Sequence, residues 1–155
     1  MPVTRRRFLR LTAVGIVGAA AAPAAWTLLG REPASSGPPV LRYGQDRCDA
    51  CGMIISDPRY AAAARDAAGV RRYDDIGCLL GHAGAALRSG QARGYVHDAE
   101  THEWLDAGAA AFVRSPAIRT PMGFGIAAYV TPQAASRAHP GTTALTLGAL
   151  LEQGT

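Results

Sequence analysis

Two thiols and a thioether fall within the six residues Cys48-Asp49-Ala50-Cys51-Gly52-Met53, the densest grouping of soft donors in the chain. Thiolate and thioether sulfurs together favour Cu(I) over hard cations. Gly52 lets the backbone turn tightly after Cys51, so the Met53 sulfur can fold toward the same point as the Cys51 thiolate. Other readings of the C-x-x-C spacing stay open. In a cytosolic thioredoxin-like setting it is a redox pair, but here no strand precedes the motif and no long helix obviously follows it. A structural zinc site usually takes four ligands, often from a second C-x-x-C or paired histidines. Only Cys78 is left to add, and the four histidines are scattered. In an oxidising compartment Cys48 and Cys51 can also simply join as a disulfide.

Other side chains could complete a metal site. Met122 lies in the Gly/Pro loop Thr120-Pro121-Met122-Gly123, where a thioether is an unusual core filler. Cys78 and His82 are four residues apart and share a helix face, so they could close a site with Cys51. Set against this, Cys78 reads first as a buried structural thiol and His82 first as a surface residue. Asp74 and Asp75 read as helix caps, and His97, His102 and His139 as solvated residues of polar turns. The candidate metal ligands are therefore Cys51, Met53, Cys48, Met122, Cys78 and His82.

The elements that must position these groups are short. Residues 60–66 and 70–73 read as strands around a turn at Ala68-Gly69. Asp74 or Asp75 caps a helix over 76–87, whose apolar residues Ile76, Leu79, Leu80, Ala83 and Leu87 recur at helical spacing. Ser89-Gly90 stops it, and 94–96 is a further strand. Residues 98–102 form a polar turn, and Trp104 begins a second half with strands over 109–114 and 125–130. Thr131-Pro132 opens a helix to 138, with the proline in its first turn. A last strand follows over 143–147, then a short helical turn over 147–152. Strand, strand, helix, strand thus occurs twice, and Val70-Arg71-Arg72-Tyr73 parallels Ile126-Ala127-Ala128-Tyr129. The pattern predicts an α+β fold of two tandem ββαβ units, over 43–97 and 98–155. Each unit alone, at roughly 50 residues, would be only marginally stable.

Charge separates the N-terminus from the rest. Of the 16 basic residues, all arginine, Arg5, Arg6, Arg7 and Arg10 lie in the first 30 positions, which hold no acid. The other twelve are balanced by all 12 acidic residues, so no basic face remains to neutralise phosphates, and nucleic acid is not an expected partner. Thr4-Arg5-Arg6-Arg7-Phe8-Leu9-Arg10, with the uncharged run that follows it to Gly30, resembles a twin-arginine (Tat) export signal. The alternative is a membrane anchor through residues 11–30, since the run approaches the ~20 residues needed to span a bilayer. Either reading places the protein outside the cytoplasm, periplasmic or on the outer face of the membrane. Residues 31–42, rich in Pro, Ser and Gly, read as a flexible linker.

Three elements, in order, carry a family resemblance: Cys48-Asp49-x-Cys51-Gly52-Met53-x-Ile55, then Tyr73-Asp74-Asp75-Ile76-Gly77-Cys78, then Thr120-Pro121-Met122-Gly123-x-Gly125 with Ala127-Ala128-Tyr129-Val130. Over residues 43–150 the chain resembles the NosL family, copper-binding accessory proteins of nitrous oxide reductase assembly. The resemblance implies a pair of treble-clef-like ββαβ units, a fold also seen in an organomercurial lyase. It implies Cu(I) as cargo, Cys51 and Met53 as its ligands, and a copper-accepting enzyme or its assembly machinery as partner. Many members are lipoproteins anchored through an N-terminal cysteine, which this chain lacks. The expected function is that of a Cu(I) metallochaperone and not an enzyme. The alternatives are a thiol-dependent oxidoreductase or lyase and an exported structural domain with a Cys48–Cys51 disulfide. No G-x-S-x-G or H-E-x-x-H motif points to hydrolysis.

Overall fold

The central strand is made of alanine. Ala61 to Ala64 are almost wholly buried, and β1 (Ala62–Asp66) lies between β2 (Gly69–Tyr73) and β3 (Arg93–His97), antiparallel to both. Alanine prefers helix when isolated. Here pairing on both edges overrides that preference, and the small side chains let a helix pack closely on the sheet. Asp66 ends β1, its Oδ1 accepting the N–H groups of Ala68 and Gly69 at 2.8 and 3.1 Å, the side-chain-to-backbone turn expected of aspartate. The computed structural model describes residues 37–154. The predicted signal or anchor and the first part of the linker lie outside them. Among the described residues no helix is long and apolar enough to cross a membrane.

Asp75 caps α1 (Ile76–Arg88), accepting the Gly77 N–H at 2.8 Å. Ile76, Leu79, Leu80 and Ala83 are buried against the sheet, each large one worth about 1.5–3 kcal/mol. A Cβ at Gly77 would overlap the Phe124 ring, so this helix start and the 115–125 loop fit only with glycine there. A short strand, β4 (Trp104–Asp106), extends the sheet beyond β3 to the order β2-β1-β3-β4. The second half contributes the hairpin of β5 (Ala111–Arg114) and β6 (Ile126–Tyr129), then α2 (Pro132–Ala138) and α3 (Leu147–Gln153). Gly125, at φ +66° with its missing Cβ 2.4 Å from the Ser115 carbonyl, closes that hairpin. Phe112, Ile126 and Leu150 enter the same apolar core as Ile76 and Leu79.

The α+β architecture is as expected, and the internal duplication reaches individual hydrogen bonds. In the first half the Cys48 N–H bonds the Met53 carbonyl, Gly52 N–H bonds Cys48, and Asp49 N–H bonds Arg72. In the second half Asp98 bonds Glu103, His102 bonds Asp98, and Ala99 bonds Ala128 in the same way. Residues 48–53 and 98–103 are therefore the same turn. Its second member needs a left-handed residue at the position of Gly52 (φ +77°), and His102 supplies it at φ +62°. Tyr73 and Tyr129 end equivalent strands, paired with Ala62 and Ala111. Each tyrosine hydroxyl meets a histidine carried by or capping the following helix, His82 at 3.0 Å and His139 at 2.7 Å.

The structure differs from the sequence expectation both in strands and in histidines. The last strand, expected over 143–147, is reduced to one pair of hydrogen bonds between Phe112 and Leu145. This occupies the place of β3 in the first half. Trp104–Asp106 is a strand, because it is the outgoing arm of the second turn and pairs with the β3 arm that enters it. His97 is not solvated. It ends β3 at 4% exposure, stacked on Trp104 with ring centroids 3.8 Å apart.

Candidate metal centre

The first-half turn is pinned to the junction of β2 and α1. Asp49 donates its N–H to the Arg72 carbonyl at 2.8 Å, and its Oδ2 accepts the Arg72 N–H at 2.6 Å. The Arg47 guanidinium closes over the turn by donating to the Gly52 carbonyl at 3.0 Å. This brings the C-x-x-C pair against the two residues flanking the cap, Asp74 before it and Cys78 in the first helical turn. One ligand atom from each of Cys48, Cys51, Asp74 and Cys78 lies within 4.8 Å of all the others. Three thiols and a carboxylate that are dispersed over 31 positions thus share one centre.

The environment is mostly dry. Cys48 (3% exposed), Cys78 (7%) and Asp74 (1%) are buried, while Cys51 is exposed and opens the centre to solvent. All three cysteines are free thiols. The Cys51 thiol donates to Asp74 Oδ1 at 3.4 Å. Asp74 Oδ2 is buried with no hydrogen-bond partner, a costly state for a carboxylate oxygen. Burial pushes the Cys48 thiol up, partly offset by the amides of Cys51, Asp74 and Ala50 that face its sulfur. Burial pushes the Cys78 thiol up as well, reinforced by the negative charge available to Cys48 and Asp74. An orphaned carboxylate oxygen and two buried sulfurs whose negative charge is penalised are what a bound cation would relieve. The sulfur-rich set suits a soft ion.

Of the residues singled out by sequence, Cys48, Cys51 and Cys78 converge. His82 stays outside, its Nδ1 engaged by the Tyr73 hydroxyl at 3.0 Å. Met53 and Met122 are exposed, at 49% and 39%. Their main chains are fastened to the elements that build the centre, Met53 through its carbonyl to Cys48 and Met122 through its N–H to Asp75 Oδ2 at 3.0 Å. Asp75 is the cap, and Asp74 is the group that the cap reading missed. The signal was the doubled acid: a helix start needs one capping carboxylate, and the other must be satisfied elsewhere.

Two of the three histidines assigned to solvent have side-chain partners. His97 Nδ1 donates to the His102 carbonyl at 2.8 Å, so its Nε2 accepts from the Tyr43 hydroxyl, also at 2.8 Å. Burial holds the His97 pKa below the usual histidine value. His139 is half-buried against Tyr129, and His102 is exposed.

No family model and no curated protein matches the sequence. Among solved structures, the chain is similar to the copper chaperone NosL from Shewanella denitrificans. The match has a TM-score of 0.60 and 18% identity, and covers 73% of this chain and 97% of that one. The two proteins share a fold.

Proposed function

We propose that this protein is an exported Cu(I) metallochaperone that holds copper on the centre of Cys48, Cys51, Cys78 and Asp74 and passes it to a copper enzyme. The observation that carries this reading is the convergence of three thiols and a buried carboxylate within 4.8 Å, open to solvent only at Cys51. Soft, low-coordinate sulfur sites retain Cu(I) while leaving room for an incoming ligand. Full deprotonation of all four groups around a monovalent ion would leave three uncompensated negative charges in a largely buried site. The loaded state therefore keeps protons on part of the set. Met53 and Met122, exposed on the two loops fastened to the centre, are suited to meet Cu(I) as it enters or leaves. The shared fold with a copper chaperone supports the reading, and the motif resemblance to the NosL family makes nitrous oxide reductase, or its assembly machinery, the proposed recipient. The Tat-like N-terminus supports delivery outside the cytoplasm, and residues 11–30 are proposed as a membrane attachment.

The test is an anaerobic Cu(I) competition titration of the reduced full-length protein alongside Cys51→Ser and Cys78→Ser. The proposal requires one tightly bound copper per chain, weakened by both substitutions. Weak binding, or equal binding by all three proteins, overturns it.

One observation favours a second reading. The Cys51 thiol and the Asp74 carboxyl, 3.4 Å apart beside two further thiols, would also suit cleavage of a carbon–mercury bond. As the Cys51 sulfur bonded mercury, its thiol proton would pass to the Asp74 carboxylate and from there to the carbon as the carbon–mercury bond broke, leaving the metal on sulfur. Release of hydrocarbon from an alkylmercury substrate, with turnover lost in Asp74→Asn, would establish that activity.

A further inference from the structure

We infer that Cys48 is the anchoring ligand of the metal centre, seated in a backbone nest built for negative charge, and not a redox guard for Cys51. The inference rests on the Cu(I) reading above and deepens it by assigning the two thiols of the C-x-x-C pair different roles.

The duplication supplies the argument. In the second half, the position of Cys48 is taken by Asp98, 2% exposed. Its Oδ1 accepts the N–H groups of Glu100 and Thr101 at 2.8 and 3.0 Å, and its Oδ2 that of Val130 at 2.8 Å. Burial works against this carboxylate, yet the three amides prevail and hold it below the usual carboxylate range. In the first half the same backbone bonds put the amides of Ala50, Cys51 and Asp74 in the same places, facing the Cys48 sulfur, where they partly offset its burial. These are the same three amides, two and three residues past the nest position and one residue past the paired tyrosine. Converging N–H groups of this kind form an anion-binding concavity. One copy of the nest holds a carboxylate whose oxygens are taken up by these amides, and the other holds a sulfur beside two more thiols.

The two cysteines therefore differ in kind. Cys48 is buried and its sulfur is directed by three fixed donors, so it is poorly placed to meet an external oxidant or reductant. Cys51 is exposed and held by a single long bond to Asp74. An incoming ligand reaches Cys51 first, and Cys48 is the last thiolate to release the metal.

Cys48→Asp tests this directly, because it copies Asp98 into the equivalent nest. In the reduced, full-length protein under anaerobic conditions, Cys48→Asp is expected to fold with an unfolding midpoint close to wild type. Its Cu(I) affinity is expected to fall at least a hundredfold, and the sulfur-to-copper charge-transfer absorbance per bound copper is expected to drop. Cys48→Ser should lose affinity to a similar degree. Undiminished Cu(I) affinity in either variant overturns the anchor assignment. So does a Cys48→Asp protein that fails to fold, since the nest would then reject the carboxylate its twin holds. If wild type itself takes up no Cu(I), the copper reading has failed, and that outcome is distinguished by the absence of any wild-type signal to lose.

Discussion

Where the first half carries Cys48, the second carries Asp98; Cys51 is matched by Thr101, Asp74 by Val130, and Cys78 by Ala134. The backbone around these pairs is the same, down to the bonds between 48 and 53 and between 98 and 103. The fold therefore asks little of these positions. It requires an acceptor in the nest at 48 or 98, a left-handed residue at 52 or 102, and a cap at 75 or 131. Only the first half adds sulfur and a second acid to that frame. Its Asp74 oxygen without a partner has no counterpart at Val130. The first half crowds its donors around an unpaired carboxylate oxygen, and the second shows the same turn with its nest carboxylate satisfied by three amides.

The largest expected effect is on the satisfied side. Asp98→Ala strips three buried N–H groups of their acceptor and should cost about 3 kcal/mol or more of stability, read from urea unfolding. Copper affinity, measured where the variant remains folded, should be close to wild type. A small stability loss would mean that the nest is not structural. Next come the donors. Cys51→Ser and Cys78→Ser should each weaken Cu(I) about a hundredfold, and Asp74→Asn about tenfold. Thr101→Ala and Ala134→Ser should leave affinity unchanged in the same competition assay. A comparable loss in a second-half variant would break the comparison.

Backbone strain gives a smaller contrast. Gly52→Ala places a Cβ at φ +77° and should cost about 1–2 kcal/mol. His102→Gly relieves the matching position and should be neutral, or stabilising by up to about 1 kcal/mol. Paired thermal melts would sharpen the claim that the two turns are equivalent. The smallest effect is on pH. The folded pKa of His97 lies below its unfolded value of about 6.5. Below about pH 6.5 the unfolded chain therefore binds a proton that the folded chain refuses, and stability falls with pH until the folded pKa is reached. Above that window His97 contributes no slope. His97→Gln should flatten this part of the stability profile, and an unchanged slope would assign it to another group.

The sequence made Cys48, Cys51 and Cys78 visible as candidates because sulfur is rare in the chain, and the structure brings the three thiols together. It made α1 visible through its cap and apolar stripe, and the duplication through Tyr73 and Tyr129. What stayed hidden has physical causes. A three-residue strand such as Trp104–Asp106 is too short to show alternation, and it forms only because β3 offers an edge. The role of Asp74 was masked by Asp75, since either acid can cap a helix and only packing decides which one does. His97 looked solvated because its neighbours are polar, but its partners, Tyr43 and the His102 carbonyl, become adjacent only after folding. The equivalence of Cys48 and Asp98 lies in hydrogen bonds that two dissimilar side chains share, and residue identity does not display it.

The most direct test of the central claim is X-ray absorption at the copper edge of the Cu(I)-loaded, full-length protein. The account predicts one copper whose first shell is dominated by sulfur and loses a sulfur in Cys51→Ser. A shell dominated by nitrogen, or one that Cys51→Ser leaves unaltered, would contradict it and move the metal away from the first-half thiols.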